Sequence, residues 1–426
     1  MHYVFILLHR WVGLVIAGFL VVSGLTGAVI SWDHELDDLL NPHLTHVDSR
    51  GGYLPSLDLA QAIEARDPRA RVTFIPLAPE SGESLDFGVD PLVNPATGRL
   101  YDLGYNQVFV DPVTGDELGK REWGAVWPIT TENLVSFLYK LHYSLHIPEM
   151  WGIDHWGEWL LGGIAILWTL DCFVGFYLTL PRRASNSGAP SSPEQPSPQS
   201  WRARWAPAWK IKTSGTIKRI NFDVHRAFGL WAWGLLFMLA FTAFSLNLYK
   251  EVFYPVISMV SDVTPTPFDV RTPTDLHEPI TPKIGYAPVI DRAVQVAQER
   301  GWSEPAGDVF YAQNFGIYGV RFFHPEADHG SGGAGHSTLY FDGSDGQYLG
   351  DRQPWTGTAA DIFVQAQFPL HSGRILGLPG RILVSIMGVG TAILSMTGVI
   401  IWWRKRAVQV RRAYNQVERQ DPLPVA

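Results

Sequence analysis

The sequence has 426 residues and a formal net charge of −8, with 46% hydrophobic and only 17% charged residues. An ordinary soluble domain carries about 25% charged residues, so this composition argues against an entirely soluble protein. The mean hydropathy is nevertheless only +0.03, so the apolar residues must be concentrated in a few segments. The one cysteine, Cys172, excludes an internal disulfide, a cysteine-rich metal site and the C-x-x-C-H attachment of a c-type haem.

Four long runs of residues carry almost no charge and predict membrane-spanning helices. Each run has 22 or 23 residues, enough to cross a hydrocarbon core as a helix, and only Asp171 is charged within them. The first run is too long for a secretory signal and lacks its basic leader, so we expect an uncleaved helix. The runs are Trp11–Trp32, Trp159–Leu180, Ala227–Tyr249 and Ile382–Trp403.

The order of these runs predicts the domain organisation. We expect transmembrane helices in segments 1–32, 156–181, 225–249 and 377–403, two domains at 33–155 and 250–376, a linker at 182–224 and a tail at 404–426. The Ser- and Pro-rich stretch from Ser185 to Ser200 has the composition of a flexible linker. The Trp201, Trp205 and Trp209 segment that follows is mixed with Arg and Lys, as in an anchor at a lipid headgroup layer.

The charges predict the orientation of the chain. Residues 182–223 and 404–426 together hold 14 Lys or Arg and four Asp or Glu. Residues 33–155 and 250–377 together hold 16 Lys or Arg and 35 Asp or Glu. By the positive-inside rule, the basic segments and both termini are cytoplasmic and the acidic domains are outside. A net charge of −19 outside would concentrate cationic complexes, although the solubility of an exterior domain explains it as well.

The two halves of the chain share motifs at matching positions. The motif H-R-x-x-G-L opens the first run at His9 and the third run at His225, and small residues recur at the same later offsets. At about 100° per residue, these offsets put the His and the small residues on one helix face. A second His precedes the second run at His142 and the fourth run at His371. The pattern predicts a parallel internal duplication in which His9 pairs with His225 and His142 pairs with His371.

The two exterior segments also resemble each other. In each, a helical stretch, Leu57–Glu64 or Ile290–Ala297, precedes alternating strands and a hairpin with Asp and Gly in its turn. These features predict two small α+β domains.

Paired histidines at two depths indicate bis-imidazole haem ligation, in which two neutral imidazoles bind the iron from opposite faces. The first run covers about 35 Å at 1.5 Å per residue, so one haem would not serve both faces. We therefore expect two haems, one at His9 and His225 and one at His142 and His371. Further candidates are Arg10, Arg226, Arg374 and Arg381 for the propionates, and Gly13 and Gly229 for room beside the macrocycle.

Other uses of these residues remain open. The small residues are also typical of plain helix packing, and a His pair can hold zinc or copper, although neither pair has obvious third and fourth ligands. His146 and His155 lack counterparts in the second half and rank as surface or alternative ligands. Asp171 is a candidate proton carrier or helix contact. A flexible insertion explains His324, His329 and His336 better than a metal site does.

These motifs resemble the PepSY-associated transmembrane family of bacterial inner-membrane proteins. The resemblance rests on H-R-x-x-G-L at His9 and His225, L-H-x-S-L at His142 and P-L-H-S-G-x-x-x-G-L-P-G-R at His371. It covers nearly the whole chain apart from the linker and tail, and the exterior domains resemble PepSY modules. The family includes iron-regulated proteins and di-haem reductases that release iron from ferric siderophores in the periplasm. The resemblance implies haem b on the four motif histidines.

The sequence departs from this family in two places. Asp171 and Cys172 interrupt a usually apolar second span, and the Gly-rich loop near His329 enlarges the second domain. Some relatives carry a fused cytoplasmic flavin domain, whereas this sequence ends soon after Arg406, so we expect a separate electron donor.

We thus expect a four-span helical membrane protein with two periplasmic PepSY-like domains and two haem b groups per chain. A cytoplasmic flavoprotein or quinol would supply electrons, and a ferric siderophore or other ferric chelate would accept them. The lipid bilayer is an expected partner and nucleic acid is not. The alternatives are a di-haem reductase of another periplasmic acceptor and a haem-free PepSY protein that binds a ligand or regulates a partner.

Overall fold

The computed structural model describes residues 1–182, 200–275, 277–325 and 330–420, with side chains described as far as residue 411. Most of the predicted flexible linker, His329 and the end of the predicted tail lie outside these residues. In the described part the helices are α1 (His2–Ile30), α2 (Asp33–Leu40), α3 (Pro42–Thr45), α4 (Ser56–Arg66), α5 (Leu134–Ser144), α6 (Trp156–Thr179), α7 (Trp201–Trp205), α8 (Ile217–Trp231), α9 (Trp233–Asn247), α10 (Tyr254–Ser258), α11 (Pro267–Val270), α12 (Tyr286–Glu299), α13 (Ala359–Gln365), α14 (Gln367–Ser372) and α15 (Leu378–Gln420).

The strands occur in two groups along the chain, one after α4 and one after α12. They are β1 (Ala70–Pro76), β2 (Leu85–Pro91), β3 (Val93–Asn94), β4 (Arg99–Leu100), β5 (Gln107–Val110), β6 (Glu117–Arg121), β7 (Ala306–Ala312), β8 (Ile317–Phe322), β9 (Ser337–Asp342) and β10 (Tyr348–Arg352).

The chain folds as two compact units. The helical unit comprises Met1–Ala28, Glu158–Leu248 and Leu383–Ala426, and the sheet unit comprises Val29–Gly157 and Tyr249–Ile382. Each unit therefore takes segments from both halves of the sequence.

Three helices in the described residues are long and apolar enough to cross a membrane, namely α1, α6 and the portion Leu378–Arg411 of α15. The pair α8 and α9 would be a fourth if the two helices form one span. The chain is therefore a membrane-associated helical protein with three to four candidate spans, and it also contains a sizeable sheet.

The helix predicted over 225–249 is not straight. It begins at Ile217, eight residues earlier, and is divided into α8 and α9. These two helices meet at Ala232 with a bend of 71°. The indole nitrogens on either side of the bend hydrogen-bond to different segments, since Trp231 donates to the carbonyl of Trp209 and Trp233 to the carbonyl of Cys172. These two anchors hold the halves of the helix in different directions, which a hydropathy pattern does not reveal.

Small residues bring α1 and α15 into backbone contact. A Cβ added to Gly24 would lie 2.6 Å from the carbonyl oxygen of Gly388, and a Cβ on Gly388 would lie 2.4 Å from the carbonyl oxygen of Gly24. Such close approach is typical of helix pairs in membranes, where packing replaces the hydrophobic effect as the driving force. Gly24, one of the small residues that recur at matching offsets in the first and third runs, therefore serves helix packing.

The sheet unit is built on one antiparallel sheet with strand order β10-β9-β8-β7-β1-β2-β5-β6. The strands of the two predicted PepSY-like domains join where β1 pairs with β7, with Phe74 opposite Phe310. The predicted helices Leu57–Glu64 and Ile290–Ala297 lie within α4 and α12, and their buried side chains pack on this sheet in a common apolar core. The assignment of two separate modules stays a prediction, and their strands form a continuous sheet.

The predicted hairpins are β5–β6 and β9–β10. In the first turn the carboxylate of Asp111 accepts hydrogen bonds from the backbone N–H groups of Val113 and Thr114. Gly115 then adopts a φ of +76°, a conformation that a side chain disfavours. Asp342 and Gly346 (φ +70°) repeat the arrangement in the second turn. The Asp and Gly positions of both hairpins thus have the turn-forming role predicted for them.

Candidate functional site: two histidine pairs

The first histidine pair consists of His9 on α1 and His225 on α8, both in the helical unit. Their ring centroids lie 6.1 Å apart and their planes are inclined by 54°. The structure thus brings together two imidazoles that are 216 positions apart in the sequence.

The ring of His9 is oriented by a carboxylate on α6. Its Nδ1 atom lies 3.0 and 2.9 Å from the two carboxylate oxygens of Asp171, whose side chain is only 8% exposed. Because a carboxylate can only accept, Nδ1 carries the proton, and the lone pair of the neutral ring lies on Nε2. A metal-binding imidazole usually has such a partner, which fixes the tautomer and increases the basicity of the coordinating nitrogen.

The ring of His225 is oriented by α15 in the same way but without a charge. Its Nδ1 atom lies 3.1 Å from the carbonyl oxygen of Leu394 and 3.0 Å from the hydroxyl of Thr397. The carbonyl requires the proton on Nδ1, so Nε2 is again the nitrogen with a lone pair. Both rings of the first pair therefore have the tautomer that coordinates a metal through Nε2.

A glycine lies beside each ring of this pair, four residues after the position that contacts Nδ1. A Cβ added to Gly175 would lie 3.4 Å from Cε1 of His9, and a Cβ on Gly398 would lie 3.2 Å from Cε1 of His225. Larger residues there would push the rings out of position. The helices α6 and α15 thus contact the two imidazoles in equivalent ways.

The second histidine pair consists of His142 on α5 and His371 on α14, both in the sheet unit. Their ring centroids lie 6.0 Å apart and their planes are inclined by 51°. The distance and inclination are close to those of the first pair, although the helices that carry these histidines are short and lie outside the candidate spans.

Each histidine of the second pair lies in the last turn of a helix that ends on a left-handed residue, Leu145 (φ +55°) after α5 and Gly373 (φ +76°) after α14. The next helix then passes close to that end. A Cβ on Gly157 would lie 1.8 Å from the carbonyl oxygen of Ser144, and one on Gly380 would lie 1.9 Å from the carbonyl oxygen of Gly373. These close contacts fix the helix ends that carry His142 and His371.

The geometry of both pairs fits a metal bound between two imidazoles. Two metal–nitrogen bonds of about 2 Å each, with about 1 Å from each nitrogen to its ring centre, separate the centroids by about 6 Å. The observed separations are 6.1 and 6.0 Å. In the described residues, no group of three or more His, Cys, Asp or Glu side chains has the arrangement of a metal site. Bis-imidazole haem ligation needs only two protein ligands.

The small residues predicted to flank the first pair have space around them. Apart from the chain neighbours and the nearby backbone of the same helix, no described atom lies within 4 Å of a Cβ added to Gly13, and only Leu394 approaches one added to Gly229, at 3.9 Å. These two positions differ in this respect from Gly24, where there is no room for a side chain.

The arginines predicted to pair with propionates mostly have protein partners. Arg226 donates to the buried carboxylate of Asp223 and to a backbone carbonyl. Arg374 lies 3.3 Å from Asp33, and Arg381 donates to Glu35 at 2.6 Å. Arg10 is partly exposed, near the first pair in sequence. Propionate pairing by Arg10, Arg226, Arg374 and Arg381 stays a prediction.

Three other histidines that the sequence analysis named have contacts outside the two pairs. His146 stacks on Phe137 and its Nε2 lies 2.8 Å from the carbonyl oxygen of that residue, and burial lowers the pKa of this imidazole. His155 is half-exposed beside Asp154. His336 stacks on Phe323 in the sheet unit. Each ring thus has a contact of its own in the sheet unit.

Sequence reasoning left the role of Asp171 undecided and did not single out Leu394, Thr397, Gly175 or Gly398. The sequence did contain a usable signal. Gly175 lies seven residues before the basic pair Arg182-Arg183, and Gly398 lies six residues before Arg404-Lys405. Aligning the second and fourth runs on that Gly places Asp171 opposite Leu394, the two positions that contact the paired histidines.

A comparison with protein families finds one that covers nearly the whole chain. The family model described as "PepSY-associated TM region" matches residues 6–405, a span that includes both histidine pairs. No curated protein matches the chain.

Proposed function

Because the chain belongs to the PepSY-associated TM region family, we propose that it is a di-haem b reductase of the bacterial inner membrane. In this proposal His9 and His225 hold one haem, and His142 and His371 hold the other. Electrons come from a cytoplasmic flavoprotein or quinol, and a ferric siderophore or similar ferric chelate is reduced on the periplasmic side.

The observation that carries the proposal is the matched geometry of the two histidine pairs. Two pairs of imidazoles, drawn from opposite halves of the sequence, have nearly equal centroid separations of 6.1 and 6.0 Å. A single close His pair has several ordinary explanations, including helix packing. Two such pairs with the spacing of a bis-imidazole metal complex are difficult to explain by packing alone.

A haem held by the two histidines of a pair would supply one-electron chemistry. The protein's own part is to hold the rings. Asp171 accepts the Nδ1 proton of His9, whereas the carbonyl of Leu394 and the hydroxyl of Thr397 lie beside Nδ1 of His225. The first pair therefore has one ligand made more basic by a full negative charge and one supported by neutral groups.

The proposal includes four spans, a parallel duplication and cytoplasmic termini. The four-span count treats α8 and α9 as one bent span. The duplication is supported by the matching order of helix, hairpins and histidines in both halves. The orientation rests on the 14 Lys or Arg in residues 182–223 and 404–426 against 35 Asp or Glu in residues 33–155 and 250–377.

Reduction would help to release iron because a hard oxygen chelator holds ferrous iron less tightly than ferric iron. The acidic sheet unit would favour cationic complexes over anionic ones. The ferric-chelate substrate is what the family resemblance implies, and the charge of the sheet unit would favour cationic complexes within that class.

The proposal is tested by reducing the purified protein with dithionite, removing the excess, and mixing it anaerobically with a ferric siderophore. We expect the reduced haem spectrum to change to the oxidised one while a ferrous-specific chelator captures iron. The gallium complex of the same siderophore is the control, since gallium has the charge and size of ferric iron but accepts no electron under these conditions. The proposal would be contradicted if the haem reoxidised with the ferric siderophore no faster than with the gallium complex or with no complex.

A further inference from the structure

A cavity of about 270 Å³ lies in the helical unit between the start of α8 and the charged end of the apolar part of α15. Its lining includes no histidine of either pair, and neither the family match nor the proposed function assigns it a role. Its lining combines four cations with two apolar side chains: Lys218, Arg219, Phe222, Ile401, Arg404 and Lys405. We call it the basic pocket.

The positive charge of the basic pocket is only partly neutralised. Arg219 donates to the fully buried carboxylate of Asp223, which also accepts from Arg226, so that carboxylate is already shared by two guanidinium groups. In the part of the chain that the structure describes, no carboxylate forms an ion pair with Lys218, Arg404 or Lys405. Three cations therefore converge on one cavity without an acidic partner.

The fold itself adds to this potential. The helix α8 is 15 residues long and begins at Ile217, so its N-terminal partial positive charge lies at the pocket. Keeping four cationic side chains close together costs electrostatic free energy, which an anion in the cavity would offset. The ligand indicated by this chemistry is a phosphate-type anion.

The surroundings favour an anion that carries an apolar tail. Arg404 and Lys405 follow directly after the apolar run Ile382–Trp403, and Phe222 and Ile401 supply the apolar part of the lining. Trp403 is 68% exposed at the end of that run, as expected for an indole at a headgroup layer. Both helices that form the pocket belong to candidate spans, and a cavity at the charged end of such spans is expected where the hydrocarbon core meets the headgroups.

We propose that the basic pocket binds the headgroup phosphate of an anionic phospholipid. Lys218, Arg404 and Lys405 contact the phosphate, and Phe222 with Ile401 contacts the glycerol and upper acyl region. Pockets of this kind between membrane helices are suited to anionic lipids because they combine charge with apolar contact. Zwitterionic lipids carry the same phosphate but add a cation that the pocket repels.

The test uses the full chain and does not depend on haem. Wild-type protein in nanodiscs of equal phosphatidylcholine and phosphatidylglycerol is released into detergent, and native mass spectrometry counts the lipids that remain bound. The pocket variant carries Lys218→Gln, Arg404→Gln and Lys405→Gln. The matched control carries Arg182→Gln, Arg406→Gln and Arg411→Gln, which remove the same charge from exposed basic residues outside the pocket and outside the Trp201–Trp209 segment.

We expect the wild type and the control to retain phosphatidylglycerol in preference to phosphatidylcholine, and the pocket variant to bind it about tenfold more weakly or worse. All six substituted residues are exposed, so the variants should fold, and the single variants Lys218→Gln and Arg404→Gln should each show part of the loss. Equal retention of both lipids by the wild type would overturn the proposal.

Two further outcomes would also overturn it. An equal loss in the control would mean that diffuse surface charge, and not the pocket, attracts the lipid. Calorimetric titration with inorganic phosphate gives the other arm: tight phosphate binding that the pocket variant loses, with no lipid preference, would assign the site to a soluble anion. Weak or absent phosphate binding beside clear retention of phosphatidylglycerol supports a lipid site.

Discussion

Replacing Asp171 should weaken one histidine pair and leave the other intact. The carboxylate lies 2.9 to 3.0 Å from Nδ1 of His9 and is nearly buried. A hydrogen bond to a charged group contributes about 1.5 to 3 kcal/mol, and the loss of such a partner commonly weakens metal binding about 10- to 100-fold. We therefore expect Asp171→Leu to lower the affinity of the first pair for haem by that factor.

The isosteric variant Asp171→Asn separates the hydrogen bond from the charge. Its amide oxygen can still accept from His9, so haem should be retained. The lost negative charge no longer favours the ferric state, so the midpoint potential should rise in both variants, by on the order of 60 mV for a tenfold change in equilibrium constant. Redox titration followed by absorbance measures this shift. The control is Thr169→Val on the same helix, because the hydroxyl of Thr169 donates to the carbonyl of Ala165 and, among the described residues, to no other group.

Unchanged haem content and unchanged potentials in Asp171→Leu would refute the orienting role of this carboxylate. Misfolding would not explain a loss of haem from this variant, because Leu replaces a charge inside an otherwise apolar span and favours membrane insertion. Loss of both haems together would also refute it, since the contact concerns only His9.

Three other perturbations follow from the structure. Gly398→Val should displace the ring of His225, whose Cε1 lies 3.2 Å from an added Cβ, and remove about one haem per chain in a pyridine haemochrome assay. Asp86 is half-buried in the sheet unit with one carboxylate oxygen inaccessible to water, and desolvation raises the pKa of its carboxyl to about 7. Its neutral form favours folding, so the Tm of the wild type should fall as pH rises from about 4 to 7, and Asp86→Asn should flatten that profile in scanning fluorimetry. Gly24→Val should clash with the carbonyl of Gly388, 2.6 Å from the new Cβ, and destabilise the protein by about 1 to 3 kcal/mol, seen as a lower Tm; an unchanged Tm would contradict close packing there.

The features that repeat within the sequence were the ones that could be predicted. Matching motifs around His9 and His225 indicated that the two rings would meet, because equivalent residues of a duplicated unit lie on opposite sides of an axis. The helices α4 and α12 and both hairpins were likewise visible in periodicity and turn residues. These are local patterns that recur twice, so each copy supports the interpretation of the other.

Contacts between distant segments could not be predicted in the same way. Asp171 and His9 are 162 positions apart, and nothing in either segment alone specifies the contact. The pairing of β1 with β7 could not be predicted either, because the sequences of these two strands do not differ from those of the other strands in a way that identifies the partner. The ion pairs of Arg374 with Asp33 and of Arg381 with Glu35 were not predicted, since a charge pattern does not reveal which opposite charge lies nearest, and the pairing of these arginines with propionates stays a prediction.

Haem stoichiometry shows whether the four histidines of the two pairs hold two haems. Protein expressed with ample haem supply is purified, and haem per chain is measured for the wild type and for His9→Ala, His142→Ala, His225→Ala and His371→Ala, with His155→Ala as the control. The account predicts two haems in the wild type and the control, and one in each of the four variants. A colourless wild type, or haem content unchanged in all four variants, would contradict it.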